Sequence, residues 1–152
     1  MIAFQRATTE DAQLLLEVKV RAFAWDVETY GMGPPDYDSI EDMIASIQRA
    51  LYYKILRNNC IIGGFSLYRH GEEHFEIGSI YIDPYLHNIG LGTRTLEFME
   101  TEFPYVKRWT LSTTYLSFRN HHFYEKMGYV KTGEEVLEEL DGFRLFHYEK
   151  TI

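Results

Sequence analysis

Cysteine is nearly missing from this chain. One residue in 152, Cys60, carries a thiol, so no internal disulfide framework can form. Basic residues are also short: 15 Lys and Arg stand against 23 Asp and Glu, for a net charge of −8 at pH 7. Proteins that track a phosphate backbone draw most of their affinity from Lys and Arg, so this balance argues against nucleic acid as the main partner. It suits a cationic small molecule, and equally a surface whose charge only keeps the chain dispersed. No apolar run approaches the roughly 18 residues that span a bilayer. Met1 to Arg6 does not follow the basic, apolar, small-residue order of a secretory leader. These absences predict a cytoplasmic protein with no membrane partner.

Hydrophobic residues make up 45% of the chain and aromatics 16%, enough for a real core. The length fits one compact domain, residues 1–152. Ile2 to Arg6 reads as a strand. Thr8 or Thr9 caps a helix that begins at Thr9-Glu10-Asp11, with Leu14, Leu15, Val18, Val20, Ala22 and Phe23 as its apolar face. Tyr30 to Tyr37, with Gly31, Gly33, Pro34 and Pro35, breaks the chain. Asp38 or Ser39 caps a second helix that turns Met43, Ile44 and Ile47 inward. Strands are expected at Tyr52 to Leu56 and Cys60 to Tyr68, joined by a turn at Arg57-Asn58-Asn59. A third helix uses Leu96, Phe98, Met99 and Phe103. Then come a strand from Val106 to Ser112 and a helix from Ser117 to Met127, with Gly128 as its left-handed stop. Strands at Tyr129 to Thr132 and Phe143 to Tyr148 end the chain. This order fits one α/β domain with a mixed sheet.

Residues 76 to 92 carry the most information. Ile77 to Ile82 alternate as a strand, Pro84 ends it, and Gly90 and Gly92 open a helix. Glycines let the backbone approach an anion, and the free N–H groups of a helix's first turn face it. The loop is therefore a candidate phosphate site. It lacks the Lys-Ser or Lys-Thr of a P-loop, and it lacks a G-x-G-x-x-G with a downstream ribose-binding acid.

The run His87-Asn88-Ile89-Gly90-Leu91-Gly92 resembles the pyrophosphate loop of the GCN5-related N-acetyltransferases (GNAT family), which reads Gln or Arg, two residues, Gly, one residue, Gly or Ala. His87 stands where Gln or Arg is usual, Asn88 where Gly is frequent, and Ile89 where Lys or Arg is frequent. Backbone contacts survive such changes. A second segment, Phe123-Tyr124-Glu125-Lys126-Met127-Gly128-Tyr129, matches the family's F-Y-E-K-x-G-F/Y signature. The opening residues Phe4 to Ala12 are also similar to the family's. The resemblance implies the acyl-CoA N-acyltransferase fold: a mixed, mostly antiparallel sheet of about seven strands flanked by about four helices. It implies acetyl-CoA as the acyl donor, with no metal. CoA would lie against Ile80, Ile82, His87, Asn88, Ile89, Gly90, Leu91, Gly92, Thr93 and Asn120, and a backbone N–H near Ile80 would hold the acyl carbonyl.

Amine acetylation has two proton requirements. An alkylamine, with a pKa of about 10.4, must lose a proton before attacking a thioester, and the departing thiolate, of ordinary pKa about 8.5, must gain one. Glu76 shares a strand face with Ile80 and Ile82 and matches the family's catalytic Glu, so it is the expected base. Tyr124 falls on the tyrosine that commonly protonates the CoA sulfur. Asn seven residues before that tyrosine is replaced by Ser117, while Asn120 can reach the pantetheine arm. No nucleophile has a base beside it in sequence, which favours direct transfer over an acyl-enzyme.

The resemblance brings the acceptor in over Trp25 to Tyr37. Small amine, amino sugar, amino acid, polyamine and protein N-terminus stay open, as do monomer and homodimer. A CoA-binding sensor or interaction module without turnover is the alternative. His70, His74, His121 and His122 read as surface histidines rather than a metal site. Cys60 reads as a small buried hydrophobe, and Glu134, Glu135, Glu138 and Glu139 as a solvated turn.

Overall fold

The computed structural model describes residues 1–87 and 89–152. Its strands are β1 (Ile2–Arg6), β2 (Leu51–Arg57), β3 (Cys60–Arg69), β4 (His74–Ile82), β5 (Arg108–Thr114), β6 (Val130–Leu137) and β7 (Phe143–Thr151). Its helices are α1 (Ala12–Tyr30), α2 (Ile40–Arg49), α3 (Leu91–Glu102) and α4 (Phe118–Lys126). The sheet runs β1-β2-β3-β4-β5-β7-β6. β4 and β5 pair in parallel, whereas β1–β2, β2–β3, β5–β7 and β6–β7 are antiparallel. This is the expected mixed, mostly antiparallel sheet of seven strands with four helices. The chain divides into two compact units, Met1–Leu67 with Ser79–Met99, and Tyr68–Gly78 with Glu100–Ile152.

In the first unit, β2 and β3 form a hairpin whose two turn residues, Asn58 and Asn59, both take positive φ (50° and 68°). Two such residues give the turn twist that matches paired strands, and Asn tolerates it better than most. The core joins Leu15 and Val18 of α1, Met43 and Ile47 of α2, and Tyr52 and Tyr81 of the sheet. Ser39 caps α2, its Oγ accepting the Asp42 N–H at 3.1 Å. Gly31, at φ 79°, ends α1, which runs through Trp25 to Tyr30, so only the last seven residues of the expected acceptor loop, Gly31 to Tyr37, lie outside it. Leu14, 56% exposed, and Val20 face outward instead of into the core. The buried stripe is Leu15, Val18 and Lys19; Leu14 stands a hundred degrees round the helix from Leu15, and Val20 nearly opposite it. Cys60 is exposed, not buried, because it sits at the turn end of the hairpin. At Gly63 a Cβ would meet the Tyr81 carbonyl oxygen at 2.4 Å, so β3 can lie this close to β4 only with glycine there.

In the second unit, Phe75, Ile77, Trp109, Leu111 and Tyr148 are buried. The register Ile77↔Leu111 and Leu111↔Tyr148 puts three of them in one row. Aromatic rings fill this side, with Phe75 5.6 Å from Trp109 and 5.2 Å from Phe103 between centroids. β5 starts two residues later than expected. The Val106 N–H is held by the Phe103 carbonyl, and pairing begins only after the Lys107 and Arg108 N–H groups both reach the Glu73 carbonyl. Glu134 and Glu135 lie within β6 rather than in a turn. β6 is the last strand in the sheet order, where charged side chains are well tolerated. The turn itself is at Glu138–Leu140 and the positive-φ pair Asp141 and Gly142.

Candidate functional site

The two units divide the candidate residues between them. Ile80, Ile82, His87, Ile89, Gly90, Leu91, Gly92 and Thr93 fall in the first; Glu76, Asn120 and Tyr124 fall in the second. Asn88 lies outside the described residues.

In the first unit β4 ends at Ile82 and a single tight turn, Pro84–Leu86, follows. Asp83 fixes that turn. Its N–H bonds the Ile62 carbonyl at 2.7 Å, its carboxylate accepts the Tyr85 N–H at 3.1 Å, and Arg21 pairs with it at 3.1 Å. Gly90 then takes φ 80°, and nothing lies within 4 Å of where its Cβ would stand. α3 begins at the next residue; Leu91, Thr95, Leu96 and Met99 bury one of its faces. Ile89 and Gly90 are exposed. A left-handed glycine with open space beside it, at the start of a twelve-residue helix, gives a pyrophosphate room against backbone N–H groups.

In the second unit the parallel ladder pairs His74–Ile77 with Arg108–Leu111. Glu76 is opposite Thr110, and Thr110 opposite Glu149. This row points away from the buried Ile77, Leu111 and Tyr148, because successive strand residues face opposite sides. It lines a polar cavity of about 480 Å³ with His70, His74, Arg108, Ser112 and His147. Glu76 accepts a hydrogen bond from His70 Nε2 at 2.5 Å. Arg108 pairs with Glu149, and His147 lies 3.4 Å from Glu135. Each of these carboxylates thus has a basic neighbour.

Tyr124 packs on the other face. Its ring lies 6.3 Å from Tyr148 and 5.8 Å from Tyr129 between centroids, and the residue is 6% exposed. Burial pushes its phenol well above the ordinary tyrosine value, so it holds its proton at neutral pH. Gly128, at φ 97°, stops α4, and the Tyr129 N–H returns to the Tyr124 carbonyl at 2.9 Å. The proposed base and acid therefore stand on opposite faces of this unit's sheet.

Asn120 is engaged within the unit, donating to Thr113 Oγ1 at 3.4 Å. His121 is not a surface histidine. It is 8% exposed, its Nε2 contacts the Thr114 carbonyl at 2.9 Å, and its ring stacks on Phe146. No cluster of metal-ligating side chains occurs among the described residues. No sequence spacing points to Ser112. Its Oγ lies 2.6 Å from His147 Nδ1, a contact made by strand register between residues 35 apart.

The sequence profile of the acetyltransferase (GNAT) family matches residues 17–129. The chain belongs to the GNAT acetyltransferase family. No curated protein matches it. Among solved structures, the PaiA N-acetyltransferase of Thermoplasma acidophilum, crystallised with coenzyme A, superposes with a TM-score of 0.82 at 18% identity, over 100% of this chain and 99% of that one. The ribosomal-protein-S18-alanine N-acetyltransferase of Escherichia coli gives 0.80 at 17% identity, over 100% and 94%. An acetyltransferase of Thermus thermophilus gives 0.78 at 20% identity, over 100% and 97%. At such identities these likenesses speak for the GNAT fold alone. No described helix of this GNAT acetyltransferase is long and apolar enough to cross a membrane.

Proposed function

We propose that residues 1–152 act as one cytoplasmic N-acetyltransferase domain that moves the acetyl group of acetyl-CoA directly to a primary amine. The observation that carries this reading is the left-handed Gly90 with open space beside it at the start of α3, in a chain that belongs to the GNAT acetyltransferase family. The nucleophile must lose a proton and the leaving group must gain one at the same carbon, so Glu76 and Tyr124 must each reach the bound thioester, directly or through one water.

In this reading Glu76 takes the amine's proton in the polar cavity, and Tyr124 gives its hydroxyl proton to the departing thiolate. Gly90, with the first-turn N–H groups of α3, holds the pyrophosphate, aided by residues 87–89 and 91–93. Ile80 and Ile82 line the pantetheine path, with a backbone N–H near Ile80 facing the acyl oxygen as charge grows on it. Asn120 would meet the pantetheine from α4, exchanging its Thr113 contact for the ligand. The cavity's carboxylates, Glu149 and Glu76, are paired with Arg108 and His70. That pairing favours an acceptor with one amine and a polar body over a polycation needing several free carboxylates.

The test is a panel of amines (polyamines, amino sugars, amino acids and peptide N-termini) incubated with the purified chain and acetyl-CoA, with free CoA thiol as the readout. Thiol release dependent on one class of amine supports the reading. Tight CoA binding with no acetylation of any amine would instead make the chain a CoA-binding module.

A further inference from the structure

We infer that His70 is a positioning residue for Glu76, holding one carboxylate oxygen so that the other stays turned to the cavity. This rests on the reading of Glu76 as the proton acceptor.

His70 follows β3, in the turn that leads into β4, and its own N–H donates to the His74 carbonyl at 2.9 Å, which closes that turn. Its ring stacks on His74 with centroids 5.0 Å apart. His74 is fixed in turn, its Nε2 lying 2.8 Å from Thr110 Oγ1. Burial, then the nearby Arg108 guanidinium and His70, lower the pKa of His74. His70 Nε2 then meets Glu76 Oε1 at 2.5 Å. Two bare acceptors cannot approach so closely, so the contact holds a proton, and the imidazole N–H donates it to the carboxylate.

The ring is thus held at its backbone, its face and its Nε2. Exposed ion pairs contribute little to stability, and both side chains here are more than a third exposed. The use of such a pair lies in orientation. A reacting group displaced by about 1 Å can cost up to about a hundredfold in rate. Sequence gives no hint of this, because His70 and Glu76 are six residues apart across a turn rather than on one regular element.

The experiment uses the full chain as His70→Ala, His70→Gln, Glu76→Gln and His70→Ala/Glu76→Gln. Activity is measured with acetyl-CoA and the best amine of the panel, CoA affinity by calorimetry, and the imidazole protons by proton–nitrogen NMR on histidine-labelled protein. His70→Ala is expected to lower kcat/KM for the amine about tenfold, with CoA affinity and Tm unchanged. His70→Gln, which still offers an N–H, should restore most of the loss. In the Glu76→Gln background, His70→Ala should cost nothing further, since it acts only through the carboxylate. A low-field proton on His70 Nε2 should be present in the wild type and move upfield in Glu76→Gln; this reading needs no acceptor. Full activity in His70→Ala, with Glu76→Gln impaired, overturns the inference and leaves the base assignment standing. A silent Glu76→Gln overturns the base assignment and the inference with it. Absence of the low-field proton overturns the pairing itself.

Discussion

The proposed phosphate loop of the first unit and the proposed polar face of the second would hold their chemistry in different materials. At Gly90 and the start of α3 the proposed working groups are backbone N–H groups, set by one φ of 80° with open space beside it. On the polar face the proposed working groups are side chains, set among others drawn from four strands and a turn: His70, Glu76, Thr110, Glu135, His147 and Glu149. A backbone site tolerates drift in its side chains and fails when the chain path fails. A side-chain site keeps its path and fails one atom at a time. On the proposed reading, His87, Asn88 and Ile89 can depart from the family's usual loop residues while Gly90 and Gly92 do not.

The sharpest break in that comparison should come from single atoms on the second unit. Glu76→Gln replaces one oxygen by an amide and is expected to lower turnover by about 10²- to 10⁴-fold. The loss should be greatest at low pH, where the amine is most protonated, and recover in part as pH rises. A pH series of initial rates with saturating acetyl-CoA checks this. Tyr124→Phe removes only a hydroxyl, and a loss of about a hundredfold with unchanged CoA affinity is expected. Burial raises the phenols of Tyr124, Tyr129 and Tyr148, the last to about 12 with help from Glu125. Their unfolded values are lower, near 10. The stability they confer is therefore whole below about pH 10 and falls as pH climbs above it, so variant rates should be compared below about pH 9.

The first unit should break differently. Gly90→Val leaves every side chain around the loop in place but asks a β-branched residue to hold φ 80°. The left-handed region costs an ordinary residue about 1–2 kcal/mol, and more with branching at Cβ. CoA affinity should fall at least about tenfold by calorimetry, with the acceptor KM little changed. Equal affinity in wild type and variant would show that the backbone path at Gly90 is not what binds CoA.

The same contrast decides what was legible in the sequence. The alternating strand before Pro84, the glycines and the F-Y-E-K-M-G-Y helix are local, so strand, loop and helix could be read directly. Helix faces are less legible. Leu14 and Val20 are apolar but outward, because a helix buries only the stripe that meets its neighbour, and composition does not say which stripe that is. His121 has the sequence character of polar surface but is buried, since its partner, the Thr114 carbonyl, is set by how α4 packs on β5 and β7. The His70–Glu76 and Ser112–His147 contacts depend on a turn and on strand register, and no spacing rule reveals them.

The smallest expected effect separates paired charges that hold the fold from those that serve chemistry. Lys54 lies 3.1 Å from both oxygens of Asp11, and the Thr8 N–H donates to the same carboxylate at 2.9 Å. Burial works against the charged form, but the Thr8 N–H and Lys54 outweigh it, and the Asp11 pKa is lowered from 3.8. A lowered pKa means that the unfolded chain binds the proton first as pH falls. The contribution is therefore complete above about pH 4 and is lost as pH drops through the lower folded value. Asp11→Asn should reduce stability by about 1 kcal/mol at pH 7, with the gap to wild type closing in acid as the wild-type carboxyl is protonated. Denaturant titrations at about pH 7 and about pH 3 measure it, and kcat should not move at either. Glu76→Gln should show the reverse, with activity lost and the denaturant midpoint held. If Asp11→Asn lowered kcat while Glu76→Gln lowered only stability, the carboxylate of β4 would be structural and the chemistry would lie with the first unit.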